Sequence, residues 1–165
     1  MDESAHANAN AHRKPDSCNK EVASKKAAGL LVQRPHFRKE LELKLIKKGF
    51  NRDIITEVLD DFEERGYIND SDRALFYMDE LKRKRYGRTE AVRRLIMRGM
   101  SRDSASKAAS TFFLENDEIA NIKYLLDKRR FDLKDPAERV KAFNFLMRRG
   151  FGSDLVRRVL KIEDQ

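Results

Sequence analysis

Three glycines, Gly49, Gly99 and Gly150, stand 50 and 51 residues apart, and the residues around them repeat. Leu45, Leu95 and Leu146 lie four before, Lys48, Arg98 and Arg149 one before, Phe50, Met100 and Phe151 one after, and Asp53, Asp103 and Asp154 four after. A glycine just past a helix accepts the left-handed backbone that ends it, and the apolar residue that follows packs back on the leucine of the last turn. The cation before each glycine meets the negative end of the helix dipole, and each aspartate falls in the first turn of the next helix, at its positive end. Asn51 and Ser101 are N-caps for those helices, and Gly152 and Ser153 share that place in the third copy. A chain with this period is a row of helical units, each burying a face against the next.

Elsewhere apolar residues recur at helical spacing, as in Leu41, Leu45 and Ile46, or Ile54, Ile55, Val58, Leu59 and Phe62, and no segment alternates for long enough to be a strand. The punctuation predicts helices at 22–33, 37–48, 52–65, 70–85, 88–98, 102–115, 117–130, 136–148 and 153–163, three per copy. Gly66-Tyr67-Ile68-Asn69-Asp70 ends one helix and caps the next, while Asp135-Pro136-Ala137-Glu138 reads as N-cap, proline at N1 and a capping-box glutamate at N3. The expected fold is all-α: three tandem three-helix repeats at 22–66, 67–116 and 117–165, forming an elongated, curved helical body. Residues 1–21 have no large aliphatic side chain after Met1, and are expected to be a mobile polar tail in which His6 and His12 are solvated.

With 36 Lys+Arg against 28 Asp+Glu the chain carries +8, which suits polyanions or an acidic protein surface as partners. One cysteine, Cys18, leaves no intrachain disulfide, and a reducing, cytoplasmic setting fits. No apolar run approaches the roughly 20 residues that span a bilayer, so no membrane is expected. Enzymes need convergent groups, and His36, the one histidine beyond the tail, has no cysteine or serine that the sequence places beside it. The acidic run Asp60, Asp61, Glu63 and Glu64 is either a divalent-ion site or a solvated helix face, and no Gly-rich phosphate loop is present. The expectation is a non-enzyme without metal or cofactor.

The basic clusters have two readings: charge that complements helix ends, or a track along stacked repeats for DNA or an acidic protein groove. On the second, the candidate partner-binding residues are Arg83, Lys84, Arg85, Arg88, Arg94, Arg129, Arg130, Arg148 and Arg149. Tyr86 and Phe131, each beside two cations, either stack bases or pack in the core. Tyr67, Phe76, Tyr77, Phe112, Phe113, Tyr124, Phe143 and Phe145 occur at helical spacing and are read as core.

The string Leu31-Val32-Gln33-Arg34-Pro35-His36-Phe37-Arg38-Lys39-Glu40-Leu41, followed by Lys44-Leu45 and Lys48-Gly49-Phe50, resembles the opening signature of the RecX family. Gly66-Tyr67-Ile68-Asn69-Asp70 with Ala74, then Lys84 to Gly87 with Leu95 and Arg98-Gly99-Met100, and finally Leu146 to Phe151 are similar to its later signatures, in order, over about residues 22–162. The resemblance implies three tandem three-helix repeats and a regulator, mainly an inhibitor, of the RecA recombinase. Such a protein enters the groove of the RecA filament on single-stranded DNA and restrains ATP hydrolysis and strand exchange; its partners are then the RecA filament and single-stranded DNA, with the chain a monomer. One departure stands out. The family usually has serine at the position of Phe37, where with Glu40 it would form a capping box. Phe37 leaves two outcomes, a hydrophobic plug or a cap from another residue.

Overall fold

The structure is a computed structural model and describes residues 19–161; the expectations for His6, His12, Cys18 and the tail up to residue 18 lie outside these. The described residues form nine α-helices and no strand: α1 (Lys20–Gln33), α2 (Arg38–Lys47), α3 (Arg52–Glu64), α4 (Asp70–Arg83), α5 (Arg88–Met97), α6 (Arg102–Phe112), α7 (Glu115–Arg129), α8 (Pro136–Arg148) and α9 (Ser153–Leu160). They belong to two compact units, one up to Ile68 and one from Asn69.

In the first unit α1, α2 and α3 pack on one another. Ala23 and Ala27 of α1 let the helices approach closely around Leu41, Leu45, Ile55, Val58, Leu59 and Phe62, and burial of each large aliphatic side chain contributes roughly 1.5–3 kcal/mol. Asn19 caps α1 by accepting the N–H groups of Glu21 and Val22, so this helix starts two residues before the sequence pattern suggests. Phe37 is the plug: it sits at the N-cap of α2 without a side-chain cap bond and is fully buried. Glu40 takes the Arg34 guanidinium at 3.2 Å. The acidic run on α3 is tied locally, Asp60 and Glu63 to Arg38 at 2.6 Å each and Asp61 to Arg65 at 2.8 Å.

The second unit holds α4, α5 and α6 packed together and α9 packed on α7 and α8. Ile122, Leu125, Leu126, Ala142, Leu146, Phe151, Val156 and Leu160 form the core of its last three helices.

The repeated glycine motif is a helix stop with an apolar clasp in all three copies. Gly49, Gly99 and Gly150 have φ of +89°, +99° and +83°. The N–H of Phe50, Met100 and Phe151 donates to the carbonyl of Leu45, Leu95 and Leu146 at 3.3, 3.2 and 3.3 Å, and all three leucines are fully buried. Lys48, Arg98 and Arg149 are the C-cap residues, and Asp53, Asp103 and Asp154 occupy the first turns that follow. Asn51, Ser101, Asn69 and Asp135 each cap a helix through the side chain, whereas Gly152 offers no side-chain bond. Pro136 is at N1, but the capping box is not closed. The Asp135 N–H goes to the Asp132 carbonyl and Glu138 turns to Lys141.

Helix ends depart from expectation where arginine or lysine does what glycine does elsewhere. Arg85, Arg130 and Lys161 take left-handed φ of 57°, 54° and 53°, ending α4, α7 and α9 short of the expected 85, 130 and 163. The break after α6 comes at Phe112 because Phe113 leaves helical dihedrals to bury its ring, and α7 starts at Glu115. Several aromatics expected in the core are not there. Phe76 is 70% exposed, Tyr67 60% and Tyr124 44%, while Tyr77 and Phe113 are buried and Phe112, Phe143 and Phe145 half-buried.

Candidate functional site

Gly87-Arg88-Thr89 opens α5 with no side chain able to cap it, so the first N–H groups of that helix need partners from elsewhere. They find them on the last three helices. The Gly87 N–H donates to the Arg149 carbonyl at 2.8 Å, the Thr89 N–H to the Gly150 carbonyl at 3.0 Å, and the Arg88 N–H to Glu118 Oε1 at 2.9 Å. The end of α8 and a carboxylate of α7 thus complete the start of α5, negative end to positive end. The contact is backbone on backbone: a Cβ on Gly87 would lie 2.3 Å from the Gly150 carbonyl oxygen, and one on Gly150 would lie 2.3 Å from both Cβ and N of Glu90. Burial pushes the Glu118 carboxyl up from its ordinary value while the Arg88 N–H holds it back.

The exchange runs both ways. Arg149 Nη1 donates to the Lys84 carbonyl at 2.8 Å and to that of Arg85 at 3.4 Å, satisfying carbonyls past the end of α4. Arg85, turned inward by its left-handed backbone, donates to Asn121 Oδ1 and stacks 3.7 Å over the Tyr124 ring. Lys82 pairs with Asp117 at 2.7 Å, and Arg158 with Glu115.

On this joint stands a ladder of guanidinium groups and rings. Arg94 lies 4.2 Å over Tyr86, Arg149 lies 5.2 Å from the same ring and 5.5 Å from Phe145, Arg129 lies 4.8 Å over Phe145, and Phe131 meets Phe145 at 5.9 Å. Each cation–ring contact is worth about 0.5–1 kcal/mol at partly exposed sites and fixes the direction in which the charge points. Glu90 anchors one end, accepting from Arg93 at 2.7 Å and Arg94 at 2.6 Å; the Arg93 bond, seconded by Arg94, holds its carboxyl at about 2.

Of the nine candidate residues, Arg94, Arg129 and Arg149 are brought together by this ladder, and the Lys84 and Arg85 carbonyls are tied to it through Arg149. Arg83 and Lys84 turn their own cations back along α4 to Asp79 and Glu80. Arg85 is spent on Asn121 and Tyr124. The side chains of Arg88, Arg130 and Arg148 are exposed and have no ion-pair partner among the described residues. Phe145 is the part that helical spacing hid, because it reads as core from its own helix; Tyr86, for which base stacking and core packing were both open, instead carries Arg94 and Arg149 on its ring. Glu118 and Asn121 were missed as well; the signal was the uncapped Gly87-Arg88-Thr89, which demands an acceptor from outside. Among the described residues no group of three or more His, Cys, Asp or Glu is placed to hold a metal ion, and no helix is long and apolar enough to cross a membrane.

The fold and the joint define an all-α protein of tandem three-helix units with a guanidinium-rich surface. Family models agree: that of the RecX first three-helix domain matches residues 23–62, and that of the third three-helix domain residues 116–160. Regulatory protein RecX of Xanthomonas axonopodis pv. citri is 30% identical over 141 residues, covering 84% of this chain and 85% of that one. Its counterpart from Stenotrophomonas maltophilia is 33% identical over 145 residues, covering 84% and 85%. The crystal structure of RecX from Lactobacillus salivarius superposes with a TM-score of 0.75 over 86% of this chain and 94% of that one, at 20% identity. The chain belongs to the RecX family.

Proposed function

We propose that this chain is a non-enzymatic regulator, mainly an inhibitor, of the RecA recombinase. It acts in the cytoplasm by binding the groove of the RecA filament on single-stranded DNA, bridging protomers and restraining the conformational cycle that ATP hydrolysis drives. The observation that carries the reading is the ladder of Arg94, Tyr86, Arg149, Phe145 and Arg129, which holds cations in fixed directions instead of leaving them on mobile stems. Arg130 and Arg148, without ion-pair partners among the described residues, add charge beside it in the sequence. The rings are covered by guanidinium groups, so phosphate or carboxylate, not stacked bases, is the chemistry this surface meets.

The test is RecA's single-strand-dependent ATPase at substoichiometric ratios of this protein. Inhibition by the wild type, relieved in the charge-reversed R129E/R130E/R148E variant, is expected; no effect of the wild type at any ratio sinks the assignment. The exposed cations without ion-pair partners among the described residues also suit a nucleic-acid-binding module with no filament partner. Equal affinity for bare and RecA-coated single-stranded DNA, with a steep salt slope, favours that second reading.

A further inference from the structure

The joint leaves unexplained an apolar groove on α4 and α6. Leu75 and Phe76 of α4 and Phe112 at the end of α6 line a depression of about 570 Å³ whose remaining walls are Asp72 and Asp79. Residues 72, 75, 76 and 79 are spaced i, i+3, i+4 and i+7, one face of a helix. That face therefore reads carboxylate, two apolar residues, carboxylate, over about 10.5 Å of rise. Phe76 at 70% exposure is too open to be serving the core. Among the described residues the carboxylates have local partners, Asp72 the Asn69 amide at 2.8 Å and Asp79 the Arg83 guanidinium at 3.1 Å, and exposed pairs of this kind exchange at little cost.

We propose that this groove docks an amphipathic helical segment of a protein partner, in which one or two apolar residues are bracketed by two Lys or Arg residues about two turns apart. Charge complementarity selects that occupant. Phosphates are repelled by the two aspartates, so nucleic acid belongs at the ladder and not here. A second copy of the chain, paired symmetrically through the same patch, sets aspartates against aspartates. The inference rests on the filament reading, in which the recombinase protein supplies the segment while the ladder meets the polyanion.

The experiment compares the full-length wild type with F76S and with D72K/D79K, using RecA-coated and bare single-stranded oligonucleotides as probes. Each variant is expected to weaken filament binding about tenfold, the loss typical of an interface anchor. D72K/D79K is expected to do so although it adds positive charge, and F76S to leave bare-DNA binding unchanged. All altered positions are exposed, and an unchanged helical spectrum verifies folding for either variant. Wild-type filament binding that both variants retain overturns the groove and leaves the filament reading intact. A wild type that ignores the filament defeats both together. Self-association of the wild type that F76S abolishes, read by sedimentation, overturns the proposal in favour of a second copy.

Discussion

Gly49 and Gly150 occupy the same place in the repeat, with the same left-handed backbone and the same clasp of phenylalanine on leucine, yet their surroundings differ completely. A Cβ on Gly49 would meet nothing within 4 Å, whereas one on Gly150 would strike the backbone and side chain of Glu90 at 2.3 Å. The first glycine stops a helix. The second stops a helix and also forms the floor on which α5 stands. A repeated motif can thus keep one local task and acquire a second from its neighbour, and only the local task is visible in the period.

The sharpest way to break this comparison is to substitute alanine at both. Left-handed strain costs each about 1 kcal/mol. Gly150→Ala adds a clash with backbone that cannot yield, so a total above about 3 kcal/mol is expected, against about 1 for Gly49→Ala, in denaturant unfolding. Gly87→Ala isolates the clash, because its backbone is not left-handed. Equal losses at 49 and 150 would remove the floor from the account. Next in size, Glu118→Ala should cost about 1–2 kcal/mol by leaving the Arg88 N–H unpaired. Glu118→Gln keeps the acceptor without a buried charge and should cost little; faster hydrogen exchange at Arg88 and Thr89 in the alanine variant alone is the readout.

The smallest effect is acid-dependent. Glu90 titrates at about 2 in the folded chain against an ordinary 4.5, a depressed value. Its contribution is therefore complete above pH 4.5 and lost as pH falls through 2. With Arg93 largely exposed, about 1 kcal/mol is expected, and Glu90→Gln should flatten that part of the stability–pH curve.

The helices, their caps and the clasps were legible because each depends on residues within one or two turns. Asn69 before Asp70, or Gly99 after Leu95, states its role locally. The ladder was not legible, since Tyr86 and Arg149 stand 63 positions apart in the chain and nothing near either announces the other. Left-handed Arg85 and Arg130 escaped for the opposite reason: local preference argues against arginine there, and packing overrides it. Phe76 misled because helical spacing identifies a face but not whether a neighbour covers it.

The way α5 begins has a consequence for how the chain is made. Its opening N–H groups are answered by Glu118, Arg149 and Gly150, residues that leave the ribosome some 30 to 60 positions later. During that interval water must stand in, and the middle helices are held without their final partners. The second unit is therefore sealed from its far end, and a chain released before Gly150 emerges would carry an unfinished centre rather than a missing tip.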